Sequence, residues 1–453
     1  MLDSRTVGSP DSRFGFTPDM KTRLFLLLLA SAPLAVAQTP DQAQSAPLTG
    51  PTILSRTELD VPPEVATGRA GNYFNFMIYG DYTYNSYEPF TGTSTSSVGL
   101  SGYDGGIGLN LLHYLRDGAL TVNYTGGYRG YSGLNDDPAD NIIQNFSLGF
   151  NKQISKHVLF SFHQIASIYP GGWLPQQIST PSSVIGVNNI AARSETIASS
   201  VTVTLLQTRR LSWVIGGDFF DLTYKPSTQI GSVGADGNFG FNYRLTRKTT
   251  FGATAIGQYY SFRGANGSTA SEGANVSLSH LFSPRVQAGL TAGVQRSSYS
   301  ALSAQIIGNT LLISNGQHTA YNPTFSGRLS VVRKRVTFSL LGGQSAGGGG
   351  NGQYLASKVI NGSGSFSYVA TRSWSFSLGG GYQLFTSLAG GPATPSEFGS
   401  AGVNYKLTAH FGFRATGSYS KYSTIGTYAG NSYYNAMVGI IYTSADRPVA
   451  SIF

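Results

Sequence analysis

The side chains that could do acid–base or metal chemistry are few and scattered along the chain. There is no cysteine, and the six histidines are His113, His157, His163, His280, His318 and His410. A hydrolytic site needs a nucleophile or activated water with a histidine and a carboxylate in reach. The sequence shows no serine elbow, paired-carboxylate motif, His-x-x-His spacing or phosphate loop. We therefore predict that the chain is not an enzyme and that it holds no metal and no cofactor.

Charged side chains recur instead on the polar side of alternating segments. The ten residues that this alternation points inward are Asp81, Asp104, Arg129, His163, Asp218, Asp236, Arg244, Arg328, Lys406 and Arg414. Five are cationic, four are anionic and one is a histidine. Such a mixture predicts a weakly selective lining rather than a dedicated anion channel, although each charge could also simply pair with a neighbour. The alternation is ambiguous for Arg263 and Arg296, which we expect near an outer rim.

The elements that must position these residues show a period of two. Residues 286–295 place Val, Ala, Leu, Ala and Val at even positions and Gln, Gly, Thr, Gly and Gln between them. This alternation predicts β-strands with one apolar and one polar face. The polar face carries Ser, Thr, Asn, Gln and Gly rather than Lys and Glu, which indicates a surface that is wet but enclosed.

Short turns join these strands at regular intervals. Eight turns are centred at positions 117, 156, 209, 247, 284, 334, 372 and 409, so most intervals are 37 to 39 residues and two are 53 and 50. One hairpin per interval gives sixteen strands, and residues 72–85 and 432–443 add one at each end. The sequence therefore predicts an all-β, up-and-down antiparallel barrel of about 18 strands with longer connections opposite the turns, the longest at 170–195 and 301–322.

Aromatic residues cluster near these turns. Six of them form a predicted interface girdle: Trp213, Tyr243, Tyr368, Trp374, Tyr405 and Tyr442. Tyr and Trp prefer the boundary between membrane and water because their rings are apolar and their tips are polar. A soluble sandwich is the alternative, whereas a propeller would need about four strands per repeat.

Composition divides the rest of the chain. Charged residues make up only 11% of the sequence, and Gly contributes 58 residues. Residues 20–37 combine a basic start, an apolar run and a small-residue cleavage site, as a signal peptide does, so 1–19 is predicted to be an upstream extension. Residues 38–70 form a Pro-rich leader, 71–443 the barrel and 444–453 a tail.

Across residues 71–443 the chain resembles the porin-like outer-membrane β-barrels of Gram-negative bacteria, and more loosely barrel groups linked with exopolysaccharide export. The resemblance implies location in the outer membrane with both termini in the periplasm. It also implies contact with outer-membrane lipid and lipopolysaccharide, recognition by the barrel assembly machinery, and no nucleic-acid partner. Either Tyr442 or Phe453 is the aromatic assembly signal of such barrels.

The predicted function is weakly selective passage of small polar solutes, because barrels of this size leave an aqueous channel. The alternatives are an accessory barrel for exopolysaccharide export and a structural or adhesin barrel. Residues 170–195 are predicted to fold inward and narrow the channel through Trp173, Gln176, Gln177, Arg193 and Glu195, with 301–322 as the rival constriction. Residues 45–65 are either a flexible tether or a segment that docks on a periplasmic partner or in the pore mouth.

Overall fold

A computed structural model of the chain describes eighteen long strands. The described residues are 73–87, 98–131, 142–169, 193–225, 231–263, 267–307, 310–348, 356–388, 393–422, 431–444 and 447–448. In this part of the chain no helix has the length and hydropathy to cross a membrane.

The strands cover most of the described residues. They are β1 (Tyr73–Tyr87), β2 (Val98–Leu115), β3 (Gly118–Tyr131), β4 (Ile142–Ser155), β5 (Val158–Tyr169), β6 (Arg193–Leu206), β7 (Leu211–Lys225), β8 (Gly231–Arg244), β9 (Thr249–Arg263), β10 (Ser268–Ser283), β11 (Val286–Ile307), β12 (Thr310–Val332), β13 (Val336–Gly348), β14 (Ala356–Val369), β15 (Trp374–Ser387), β16 (Thr394–Lys406), β17 (Phe411–Tyr422) and β18 (Asn431–Thr443). A two-residue strand, β19 (Arg447–Pro448), follows.

Each long strand runs antiparallel to the strand before and after it, and the sheet closes on itself. β18 pairs with β1 from Thr443 opposite Met77 to Asn435 opposite Asn85. Closure removes the edges that an open sheet would leave unpaired. The prediction of an antiparallel barrel with eighteen strands is confirmed.

The two faces of the wall differ as the alternation requires. On β1, Tyr82 is 60% exposed, whereas its neighbours Asp81 and Thr83 are buried. On β11, Leu290 and Val294 are exposed and Ser297 is buried. We call the face with exposed apolar side chains the outer face and the opposite one the inner face. Exposed apolar residues at this density are typical of a surface that contacts lipid.

Threonine hydroxyls stabilise four of the short turns. Thr208 Oγ1 accepts hydrogen bonds from the backbone N–H groups of Arg210 and Leu211, at 3.1 and 2.9 Å. Thr246, Thr371 and Thr408 accept the same pair of bonds in their own turns. A hydroxyl that satisfies turn amides competes with ladder pairing, so the strand reverses there. We call this end of the barrel the turn end and the opposite end the loop end.

The predicted long connection at 301–322 is wrong. β11 and β12 instead form one hairpin whose register continues without interruption from Val286 opposite Val331 to Ile307 opposite Thr310. Antiparallel pairing is local and continuous here, so the segment extends the sheet instead of leaving it.

Part of the predicted tail also continues the wall. Ser444 donates its backbone N–H to the Phe76 carbonyl at 2.8 Å, and its hydroxyl accepts from the Phe76 N–H at 2.9 Å. Arg447 and Pro448 then pair with Phe74 and Tyr73. Ser444 and residues 447–448 thus lie beside β1.

Candidate functional site

The inner face carries the charged residues that the alternation selected. All ten, namely Asp81, Asp104, Arg129, His163, Asp218, Asp236, Arg244, Arg328, Lys406 and Arg414, share the alternation of the buried polar residues and oppose inner-face residues in register. Their role in lining a pore stays a prediction.

Five inner-face residues form one row across the closure of the barrel. The register places Arg414 opposite Gly439, Gly439 opposite Asp81, Asp81 opposite Asp104 and Asp104 opposite Arg129. The row crosses β17, β18, β1, β2 and β3, and its two carboxylates lie between two guanidinium groups. Opposite charges on neighbouring strands attract, so this order is electrostatically favourable.

Each carboxylate of the row has its own arginine. Arg414 Nε donates to Asp81 Oδ1 at 2.9 Å, and Arg414 Nη2 donates to Asp81 Oδ2. Arg129 Nη2 donates to Asp104 Oδ2 at 2.6 Å, and both of those side chains are almost fully buried. Two parallel N–H···O bonds fix the geometry of an arginine–carboxylate pair more firmly than one does.

The Asp81–Arg414 pair spans a whole strand, and Gly439 makes this possible. Asp81 lies on β1 and Arg414 on β17, with β18 between them. A β-carbon at Gly439 would overlap the Asp81 carboxylate. The glycine therefore leaves the space through which the carboxylate reaches its partner.

Tyr79 lies flat along the same stretch of inner wall. Its ring centroid is 5.1 Å from Arg414 Cζ, a cation–π distance. A β-carbon at Gly106 or Gly127 would come within 2.6 Å of the Tyr79 hydroxyl. The two glycines on β2 and β3 thus form a shallow groove for the tyrosine.

A second polar row crosses the opposite part of the wall. The register places His163, Ser200, Asp218, Asp236 and Gln258 in sequence across β5 to β9. Asp218 and Asp236 are directly opposite each other near the middle of their strands. This pair places two acidic groups side by side in the lumen, away from the arginines of the first row.

The cations Arg244, Arg328 and Lys406 lie toward the turn end of β8, β12 and β16. The two ion pairs neutralise four of the nine inner-face charges. The five remaining charges lie at two heights. The Asp218–Asp236 pair is at mid-wall, and the three cations are nearer the turn end.

Toward the loop end, the inner face becomes aromatic. Phe220 on β7 and Tyr260 on β9 meet with ring centroids 5.3 Å apart, across Gly234 on β8. The Tyr299 hydroxyl on β11 donates to the Leu388 carbonyl at the end of β15, at 2.6 Å. That bond joins β11 to the end of β15, four strands further along the wall.

The loop-end segment of β13 also enters the lumen. Cα atoms of β13 come within 8 Å of β9 and β10, which are four and three strands away in the wall. Neighbouring strands are about 4.8 Å apart, so a strand that stays in the wall cannot make these approaches. Apart from a run of glycines at 347–350, no sequence pattern predicts this inward segment.

Two of the five predicted constriction residues, Arg193 and Glu195, belong to the part of the chain that the structure describes. Trp173, Gln176 and Gln177 lie outside the described residues, as do Phe453 and the segment 45–65. Arg193 and Glu195 lie on β6 rather than in a loop and form an ion pair at 3.0 Å. They share the alternation of the exposed Ile197 and Val201, so placing them in the lumen was wrong.

Further ion pairs lie on the outer face near the loop end. Arg263 Nη2 contacts Asp221 Oδ2 at 2.5 Å, and Arg296 Nη1 contacts Glu272 Oε1 at 2.6 Å. Both arginines are close to half exposed. These positions resolve the ambiguous alternation of the two arginines in favour of the outer face.

The predicted aromatic girdle lies on the outer face, next to the turn end. Its members are Trp213, Tyr243, Tyr368, Trp374, Tyr405 and Tyr442. Trp374 packs against Tyr405 with ring centroids 4.5 Å apart, and Tyr442 packs against Phe411 at 5.1 Å. A second group, which includes Tyr82, Tyr103 and Tyr321, is exposed toward the loop end.

The histidines are dispersed over both faces. His157 Nδ1 lies 2.9 Å from the Leu206 carbonyl and His410 Nδ1 lies 3.0 Å from the Thr443 carbonyl, both beside turns. His280 contacts the Thr249 hydroxyl, and His318 stacks on Tyr299. Among the described residues, no three metal-ligating side chains come together.

Comparison with known proteins finds similarity in solved structures alone. No family model matches the chain, and no curated protein matches it. The outer membrane protein OpdK from Pseudomonas aeruginosa is similar over 82% of this chain and 98% of its own, with 10% identity and a TM-score of 0.43. For OccAB4 from Acinetobacter baumannii the values are 83% and 99%, with 12% identity and a TM-score of 0.39. Identities and TM-scores this low transfer no property from those proteins to this chain.

Proposed function

We propose that the chain is an outer-membrane channel of the porin type for small polar solutes. The supporting observation is the wall itself: eighteen strands in a closed ring with an apolar outer face and a polar, charged inner face. A barrel with sixteen to eighteen strands is wide enough to hold water, whereas eight strands are filled by their side chains.

The wall also fits an orientation in the membrane. The first residues of β1 and the last residues of β18 lie at the turn end, where the strands are joined by short turns. Short turns face the periplasm in outer-membrane barrels. We therefore assign both termini to the periplasm, with the ion pairs at the loop end facing the lipopolysaccharide headgroups and Tyr442 or Phe453 read by the assembly machinery.

Conductance of the purified chain in a planar lipid bilayer tests the channel. Discrete openings in salt are expected, together with swelling of liposomes in L-arabinose. A folded barrel that shows neither would contradict the channel and favour a structural or export-accessory barrel.

The acidic pair in the lumen provides a sharper test. Replacing both carboxylates, in Asp218→Asn/Asp236→Asn, removes negative potential at mid-wall and should shift the reversal potential in a salt gradient toward anion preference. Asp221→Asn is the matched control, because Asp221 lies on the outer face of the same strand. An equal shift in the control would show that the acidic pair does not line the conducting path.

A further inference from the structure

The short turns at the turn end carry a large excess of positive charge. All eight turns are described, and together they contain eleven Lys and Arg residues and a single acidic residue, Asp117. Every one of the eleven is exposed. They are Arg116, Lys156, Arg209, Arg210, Arg247, Lys248, Arg285, Arg333, Lys334, Arg335 and Arg372.

Carboxylates neutralise cations elsewhere in the described residues, but not at these turns. The ion pairs of the outer face lie near the loop end, and the remaining ion pairs lie on the inner face. None of them includes one of the eleven turn cations. Within the part of the chain that the structure describes, the turn end therefore presents a positive surface whose charge is not balanced.

The charge is concentrated on one side of the barrel. Eight of the eleven cations lie in four consecutive turns, at 207–210, 245–248, 284–285 and 333–335, which contain no acidic residue. We call these four turns the basic arc. Consecutive turns are two strands apart, or about 10 Å. This spacing is close to the Debye length of about 8 Å at physiological ionic strength, so the potentials of neighbouring turns reinforce one another.

Backbone hydrogen bonds hold the basic arc against the wall. The carbonyl of Arg210, the last residue of its turn, accepts from the backbone N–H of Arg244 on the next strand at 2.8 Å. Lys248, Arg285 and Arg335 each accept the same bond at the end of their own turns, also at 2.8 Å. The four turns are thus parts of one rim, and their cations stand at a fixed height relative to the barrel.

The apolar outer face reaches the basic arc directly. Leu245 and Phe282 continue that face to the edge of two of its turns, and they are 49% and 58% exposed. A cation follows each of them within three residues. Trp213, in the girdle, donates its Nε1–H to Gln207 Oε1 at 2.7 Å, which places the polar tip of the ring at the first residue of a turn. An apolar band, an indole tip and then a cation is the order that an anionic lipid surface requires.

We propose that the basic arc binds the anionic headgroups of phospholipids in the leaflet that faces the periplasm. A soluble acidic partner would need the cations but not the exposed apolar residues beside them, and for that reason the lipid fits better. The proposal rests on the membrane location of the barrel and not on conduction. A barrel that conducts nothing would bind the lipid equally well.

Tryptophan fluorescence can measure lipid binding beside the arc and away from it. The chain has three tryptophans, Trp173, Trp213 and Trp374. Trp173→Phe/Trp374→Phe retains Trp213, which lies next to the turn at 207–210. The reference probe adds Trp213→Phe and Phe411→Trp to these changes, because Phe411 lies on the outer face beside the turn at 407–410, which has no Lys or Arg.

Each single-tryptophan barrel is reconstituted in phosphatidylcholine that contains brominated phosphatidylglycerol or brominated phosphatidylcholine. Quenching by the two brominated lipids gives their relative binding constant near the probe. Phosphatidylglycerol should be preferred about fivefold or more at Trp213, since each cation near an anionic surface contributes about 1 kcal/mol. The preference at the reference probe should be close to one.

Substitution within the arc tests whether its cations cause the preference. Arg209→Gln/Arg210→Gln, made in the barrel that retains Trp213, should lower the preference at least twofold. Arg263→Gln/Arg296→Gln is the matched control, because it removes two exposed arginines from the loop end. The control should leave the preference unchanged. Equal preference at the two probes, or no loss of preference in Arg209→Gln/Arg210→Gln, overturns the proposal.

Two measurements need no substitution in the arc. In 1 M NaCl the preference at Trp213 should fall toward one, because exposed cations are screened. The unmodified protein in detergent, with equal amounts of phosphatidylglycerol and phosphatidylcholine, should retain more phosphatidylglycerol in native mass spectra. A preference that salt does not change, or equal retention of the two lipids, counts against the arc as a lipid site.

Dextran sulfate distinguishes a soluble polyanion from a lipid. Dextran sulfate might bind the unmodified barrel but not Arg209→Gln/Arg210→Gln while phosphatidylglycerol shows no preference at Trp213. That result would assign the basic arc to a soluble acidic partner, and it would overturn the lipid proposal. Absence of conductance would contradict the channel function alone, because none of these measurements depends on an open lumen.

Discussion

The ladder is continuous between the first and last strands of the wall, whereas it stops early between β12 and β13, which are consecutive in the chain. We call this early stop the gap. β1 pairs with β18 and then with β19, although these segments are separated by most of the sequence. β12 and β13 share a short turn, yet they part after Phe325 and Gln344. Covalent proximity therefore does not decide where the wall is continuous. Individual residues decide where strand pairing continues, because they supply or withhold space and hydrogen-bond donors.

At the closure, the decisive residues provide space and charge. Gly439 admits the Asp81 carboxylate, and Arg414 neutralises it on the far side of β18. At the gap, Pro323 withholds a donor and Gln344 occupies the remaining acceptor. The closure between β18 and β1 thus gains an interaction that reaches across three strands. The boundary between β12 and β13 instead loses ladder pairs.

The largest expected effect comes from filling the space at the closure. In Gly439→Val the side chain would overlap the Asp81 carboxylate and crowd the Gly80 backbone. Pairing between β1 and β18 should then fail, and the heat-dependent shift in gel mobility that marks a folded barrel should be lost. Gly257→Val is the control, because no atom lies within 4 Å of a β-carbon there. Normal mobility of Gly439→Val would show that closure does not need this space.

A smaller effect is expected from removing one charge of the closing pair. Asp81→Asn leaves the Arg414 guanidinium without its carboxylate and should lower the free energy of unfolding by about 3 kcal/mol, as breaking a buried pair does. Asp81→Asn/Arg414→Gln should recover much of that loss, because no uncompensated charge remains. Urea unfolding of the barrel in detergent micelles measures both. Additive losses in the double variant would show that the two charges do not interact.

The Asp104–Arg129 pair provides a comparison within one hairpin. That pair joins β2 and β3, which are already held by a full hairpin register. Asp104→Asn should therefore slow the formation of a closed barrel less than Asp81→Asn does, even if the two variants lose similar stability. Folding followed by gel mobility over time distinguishes them, and equal folding rates would remove the special role of the closure pair.

The smallest expected effect is at the gap. Pro323→Thr restores an N–H and a β-branched side chain at the point where pairing stops, and it should extend the ladder by a few residues. The backbone amides of residues 345–348 should then exchange more slowly with deuterium, while overall stability changes little. Unchanged exchange would mean that the inward path of β13, rather than the proline, keeps the strands apart.

The sequence predicted the features that depend on local order. Alternation identified the strands and the inner-face residues, and the spacing of turns gave the number of strands. Thr208, Thr246, Thr371 and Thr408 mark four turns because a hydroxyl can satisfy turn amides within three residues. The hairpin at 301–322 was missed because a long interval between turns can hold either a loop or longer strands, and the alternation is weak there.

The partners of the inner-face residues depend on contacts between distant segments. Asp81 and Arg414 are 333 positions apart, so no pattern in the chain joins them. Their pairing needs the closure of the sheet and the particular register that places Gly439 between them.

Arg193 and Glu195 show the same limit. Their charges suggested the lumen, but the register of β6 places them on the outer face.

The sequence by itself determined the period, the count and the facing of the strands, because these follow from steric alternation along a single strand. The tertiary structure alone decided which charges neutralise one another and where the ladder between strands continues or stops. It decided this because both outcomes depend on register between strands, and register is a property of paired segments rather than of either segment alone.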